Sequence, residues 1–457
     1  MTRPPFGFGP GDRPDEPEDA NDPLGLAKMF GAGGADLLSQ LSSLMSWSGG
    51  PVNWDLATTV AATAAAEEDP AVTSEQTQQV VDACRLADVW LEPMTTLPGS
   101  GGVAQAWTRT GWLAATQPAW RQLVDPVAGR VVTAMGAAME TGMADGFGGA
   151  VPPELQGLLA GAVPLQGVME QVGGFVFGAQ VGQALGALAK EVLSSTEVGL
   201  PLGEPGHPAM VPANIAAFSA GLGVPADEVR LYLALRECAH QRLFAHVPWL
   251  RAHLFDAVDA YARGIEVDPG AIERAVGSLD PSDPESLQRA LGEGVFDLAP
   301  TAAQQAALAR LETALALVEG WVDAVVDGAA RGPLPAAAAL RETVRRRRAS
   351  GGPAEQTFAT LVGLQLRPRR LREAAALWSA VAAARGIDGR DALWGHPDLL
   401  PGPDDLDDPA GFVRRTGDGG SGGADDSGTD WDAELQQLGD GADRSDGEPE
   451  PGPDDQA

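Results

Sequence analysis

At 457 residues, with 44% hydrophobic and 21% charged side chains, the chain exceeds what one compact core usually encloses, and two lobes or more are expected. A formal net charge of −32, from 63 acidic and 31 basic residues, excludes nucleic acid as a partner for the surface as a whole. Aromatic residues make up only 5%, and long runs of Ala, Leu and Val without period-two alternation exclude a strand-dominated fold.

Residues 1–25 combine Pro, Gly and acids without apolar periodicity, which predicts a disordered acidic N-terminal segment. The start lacks a basic region followed by an apolar one, so no secretory signal is expected. Cys84 and Cys238 form no spaced framework, and a cytoplasmic, reducing setting fits them. "GAGGAD" (Gly31 to Asp36) follows no strand and carries little weight as a dinucleotide loop.

Residues 26–415 read as a mainly α, multi-helical domain, broken by turn signals such as "EPGHP", "GVPADE" and "LDPSDPES" and free of any fixed-period repeat. Within it, Gln171 to Lys190 is nearly free of charge and long enough to span a bilayer. Gly174, Gly178, Gly182 and Gly186 recur every fourth residue and give one helix face without side chains, while Gln171, Gln180 and Gln183 suit lipid poorly. A buried helix packed closely against a neighbour is expected, and no membrane.

Three of the five histidines fall in "LRECAHQRLFAHVPWLRAH", Leu235 to His253. Pro225, Asp227 and Glu228 mark a helix start and Pro248 its end. Apolar residues line opposite faces of that helix, which predicts burial, so Arg236, Glu237 and His240 must find partners inside. Arg236 to His246 reads R-E-x-x-H-x-x-L-x-x-H, a zinc-protease pattern with its first histidine and its glycine replaced. Two histidines one turn apart can hold one ion, with the intervening Glu polarising its water. Here the metal candidates are His240 and His246, and the first-ligand position holds Arg236, a permanent cation. Three readings stay open on the residues alone. One is a buried Arg–Glu–His network, with His246 at a helix end and His253 on the next helix's surface. Another is metal binding, with His207 or His396 as a further ligand. The third is a dimetal site built on Glu237 and His240, whose only counterpart, Glu204 and His207, is interrupted by Pro and Gly.

"RRRR" (Arg345 to Arg348) and "RPRR" (Arg367 to Arg370) are basic islands, expected on a solvated face with the acidic tail as electrostatic partner. Residues 416–457 predict a disordered acidic tail, and "GGSGG" within it is linker rather than a nucleophile elbow.

"GPVNWDLA", "LADVWLEPMTTLP", "ECAHQRLFAHVPWLRAHL", "GGPAEQTFATLVGLQLRPRRLREAAALW" and "HPDLLPGPDDLDDPAGF" together resemble the bacterial zincin-like metallopeptidase type 2 family. Its members are described as hydrolases or zinc-dependent metalloproteases. The resemblance implies a zincin-like fold, a zinc cofactor, a peptide or protein substrate, Glu237 as catalytic base and His240 as second ligand. The alternative it leaves is a non-catalytic zincin-like scaffold or interaction protein, in which Arg236 replaces the first zinc ligand.

Overall fold

Helices account for nearly all the regular structure in the computed structural model, whose described residues are 49–145, 165–264, 301–349, 357 and 370–417. Helix α1 (Trp54–Ala66) starts where the Asn53 side chain accepts from the Leu56 amide at 3.0 Å. Helix α2 (Ser74–Leu91) starts with a capping box between Thr73 and Gln76. Strand β1 (Gln105–Ala106) leads into α3 (Arg109–Asp145), which runs through Pro118 and Pro126. Helix α4 (Leu165–Ala189) is followed by β2 (Ala209–Met210), which pairs in parallel with β1, Gln105 opposite Ala209. Ser194 bridges Met210 on the other side of β2.

Then come α5 (Pro212–Ser219), α6 (Ala226–His246) and α7 (Pro248–Arg263). Pro225 and Pro248 frame α6 as the sequence predicts, the second because proline can open a helix but cannot continue one. Helix α8 (Ala302–Ala330) is capped by Thr301 and Gln304, and α9 (Ala337–Ala349) follows. Helix α10 (Leu371–Asp391) kinks at Gly386, whose φ of 74° suits a residue without a Cβ. Helices α11 (Pro403–Asp407) and α12 (Pro409–Gly417) close the described chain.

The chain divides into two compact units, Met1–Pro409 and Ala410–Ala457. The described residues of the second lie in α12. Residues 1–25, "GAGGAD" and "GGSGG", Arg367 to Arg369 and the tail beyond Gly417 lie outside the described residues.

In the first unit α6 is the central element. Every residue from Tyr232 to Phe244 is buried, with α2 packed on one side and α8 on another. Helix α8 in turn packs on α7 and α10. The glycine face of α4 lies against α1, as expected of a helix without side chains on one side. A Cβ at Gly182 would come within 2.7 Å of the Ala57 carbonyl oxygen, and one at Gly178 within 2.6 Å of that of Asn53. Among the described residues no helix is long and apolar enough to cross a membrane.

Candidate functional site

Helix α6 presents polar groups in two directions, because Arg236 and Glu237 are adjacent and so about 100° apart around the axis. Arg236 and His240, one turn apart, point to α8. Glu237 and Gln241, also one turn apart, point to β2 and to the segment that precedes it.

The second group has no free capacity. Glu237 Oε1 accepts from Ser195 Oγ at 2.5 Å, Gln241 Nε2 at 3.0 Å and the Ala209 amide at 3.2 Å. Its Oε2 accepts from Thr196 Oγ1 at 2.6 Å and the Thr196 amide at 3.3 Å. An ionised carboxylate offers about four lone-pair sites. Five donors fill them, and Glu237 is 1% exposed. The cluster ties Ser195, Thr196 and β2 to α6, and Gln241 extends it by accepting from the Gly206 amide at 2.8 Å.

The first group converges on Glu319 of α8. Arg236 Nη2 donates to Glu319 Oε2 at 2.6 Å, and Arg348 Nη1, from α9, lies 2.5 Å from Oε1. His240 Nε2 stands 3.0 Å from the same Oε1, and its Nδ1 stands 2.8 Å from the Arg236 carbonyl oxygen. Burial alone would raise the Glu319 pKa, but the charges of Arg348, His240 and Arg236 outweigh it and hold the carboxyl well below the usual range. Burial likewise opposes the Arg236 charge, and Glu319, with smaller contributions from Tyr232, Asp323 and Glu197, more than offsets it. Gly199, at a φ of 76°, closes over the cluster. A Cβ there would lie 3.1 Å from Glu319 Oε1.

One turn further along α8, Asp323 takes Arg341 and Arg345 of α9, and Asp327 takes Arg341 at 2.9 Å. The Arg345 to Arg348 run is therefore not a solvated face. Arg345 and Arg348 turn inward to Asp323 and Glu319, while Arg347 donates to the Glu191 carbonyl oxygen. Arg346 alone of the four is mostly exposed, beside Glu342. Helix geometry is the cause: positions i and i+3 of an arginine run share one helix face, and here that face meets acids.

The candidate metal ligands do not come together. Helix α6 continues through Leu243, where the protease pattern has a glycine, and ends at His246. Six helical residues rotate a side chain by about 600°, leaving His246 roughly 120° away from His240. His240 is buried and His246 exposed. His253 is half-buried on α7, edge-on to Trp249. His207 stands 3.7 Å from Glu204 and His396 beside Asp398, each within its own turn. Among the described residues no group of three or more His, Cys, Asp or Glu side chains is placed to hold a metal ion.

Nor do the residues at the pattern's own positions fit zinc. Both ring nitrogens of His240 already face protein oxygens, those of the Arg236 carbonyl and of Glu319. Both oxygens of Glu319 are held by arginines, and Arg236 brings a fixed positive charge to where a dication would need a ligand. Glu319 and Asp323 are the residues that sequence reasoning missed. Their signal is two acids one turn apart in the otherwise apolar "LALVEGWVDAVV".

A mainly helical chain built around a buried E-x-x-H helix is the class that fold and site define. The sequence matches the zincin-like metallopeptidase family over residues 52–413, and the chain belongs to that family. A similar fold occurs in a protein from Chloroflexus aurantiacus whose crystal structure is described as that of "a putative hydrolase with a novel fold". The two share 20% identity and a TM-score of 0.55, over 80% of this chain and 99% of that one. No curated protein matches the sequence.

Proposed function

We propose that this chain is a non-catalytic member of the zincin-like metallopeptidase family, a helical scaffold or interaction protein that keeps the frame of the hydrolytic site as structure. The observation that carries this reading is the state of Glu237. A general base must reach the proton it takes at about 2.6–3.2 Å, directly or through one water, with a lone pair to receive it. Five protein donors already occupy Glu237, and it is 1% exposed. Arg236 in the first-ligand position supports the same reading. Zinc-dependent hydrolysis of a peptide or protein, with Glu237 as base and His240 and His246 as ligands, is the reading it displaces.

Glu237→Ala decides between them. A structural Glu237 strands several buried donors when removed, each costing about 1–3 kcal/mol with partial relaxation, so a stability loss of roughly 3 kcal/mol is expected. Thermal melts measure it, beside hydrolysis of a mixed fluorogenic peptide pool with and without chelator. Chelator-sensitive hydrolysis by wild type that vanishes in Glu237→Gln at an unchanged Tm would overturn the proposal.

A further inference from the structure

Resting on that non-catalytic reading, we propose that Arg236 and Arg348 together take the electrostatic place of a metal dication, with Glu319 as the carboxylate that would have been its ligand. Glu319 is 1% exposed, and a carboxylate so buried requires a partner beside it. The two guanidiniums supply two positive charges to its two oxygens, one each, at 2.6 and 2.5 Å. They come from different helices, α6 and α9, so the carboxylate on α8 is the point at which three helices are joined.

The donors that remain after the arginines are set aside are those of a metal site. His240 Nε2 is 3.0 Å from Glu319 Oε1, an imidazole and a carboxylate meeting in a closed, buried space. Two histidines and a glutamate make an established zinc donor set. The missing member belongs one helical turn before His240, and Arg236 stands there with its side chain in the same cluster. This geometry makes Glu319 the third vertex, and it leaves no part for His246, which lies on another face of α6 and is exposed.

The experiment uses the full chain, zinc ion as the probe, and three variants: Arg236→His, Arg236→His with Glu319→Gln, and Arg236→His with His246→Ala. Zinc content by elemental analysis, calorimetric titration and melts with and without zinc are the readouts. Wild type is expected to take up no zinc and to melt at the same temperature with or without it. Arg236→His is expected to bind about one zinc per chain and to melt higher when it is present, since binding only to the folded state stabilises it. Adding Glu319→Gln should abolish the uptake, and adding His246→Ala should leave it unchanged. Should Arg236→His not fold alone, recovery of helical circular dichroism on adding zinc supports the proposal, and no recovery overturns it. Zinc uptake that survives Glu319→Gln, or a folded Arg236→His indifferent to zinc, also overturns it. Zinc already present in wild type instead sinks the non-catalytic reading, so the two failures are distinct.

Discussion

Two interfaces in the first unit are built on opposite principles. Between α1 and α4 the glycine face is mostly close packing, with a backbone hydrogen bond from the Asn53 amide to the Gly174 carbonyl oxygen at 2.8 Å at its start. Gly178, Gly182 and Gly186 let backbone meet backbone, so the gain is dispersion and excluded water. Between α6, α8 and α9 the contact is carried by charge, with Arg236, Arg341, Arg345 and Arg348 set against Glu319 and Asp323. An apolar contact tolerates one lost atom in proportion to its size. A buried charge cluster does not, because removing one member leaves the others desolvated and unpaired.

That difference is sharpened most by Glu319→Gln, which strands Arg236, Arg348 and His240 at once. A loss of roughly 3–5 kcal/mol is expected, the range for breaking a buried ion pair, read as a shift in the urea midpoint at constant m. Acid gives the same residue a second signature. The folded pKa of Glu319 lies below its unfolded value. Its contribution is therefore complete above the unfolded value of about 4.3 and is lost as pH falls toward the folded one. Wild type should lose stability progressively below about pH 4, and Glu319→Gln, which has no such proton to gain, should show a flatter acid limb. Parallel acid limbs in the two proteins would show that the arginines do not depend on this carboxylate.

Gly182→Ala tests the other interface and should cost less. The new Cβ would stand 2.7 Å from the Ala57 carbonyl oxygen and 2.7 Å from Val60 Cβ. Backbone cannot swing aside as a side chain can, and overpacking of this kind costs about 1–3 kcal/mol. Alanine's better helix propensity returns up to about 1 kcal/mol, so a net loss near 1–2 kcal/mol is expected in thermal melts. A stabilised variant would mean that α1 and α4 are not in the close contact described.

The two interfaces also differ in how far the sequence discloses them. The glycine stripe repeats every fourth residue within one helix, and local periodicity is enough to expect a close neighbour on that face. The limits of α6 are equally local, set by Pro225 and Pro248. That Arg236 must find a carboxylate follows from its place on a buried helix, but which one does not. The adjacent Glu237 turns to Ser195 and Thr196, and the partner is Glu319, 83 residues away. Long-range pairing of this kind depends on how helices dock, which periodicity within one of them does not encode. For the same reason Arg345 to Arg348 read as surface: only the acids of α8, in another segment, show that α9 turns them inward. The helical class and the family were legible because composition and long strings of sequence carry them. The third vertex of the site was not.

The smallest expected effect belongs to His246→Ala, and it bears directly on where the site ends. His246 lies in the last turn of α6, exposed, beyond the buried run that closes at Phe244. A basic side chain there can favour the negative end of the helix dipole by about 0.3–1 kcal/mol when charged, and the effect is screened in water. Exposed substitutions away from caps and cores generally fall within about 0.5 kcal/mol, and alanine is the better helix former. The two tendencies oppose each other, so a change of less than about 0.5 kcal/mol is expected, measured as a Tm shift of a degree or two at neutral pH. His240→Ala makes the contrast within one helix: it removes a buried ring that touches Glu319 and stacks near Phe244, and should cost several times more. Equal losses at the two histidines would mean that they act as one unit, which the roughly 120° between them on a continuous helix does not allow.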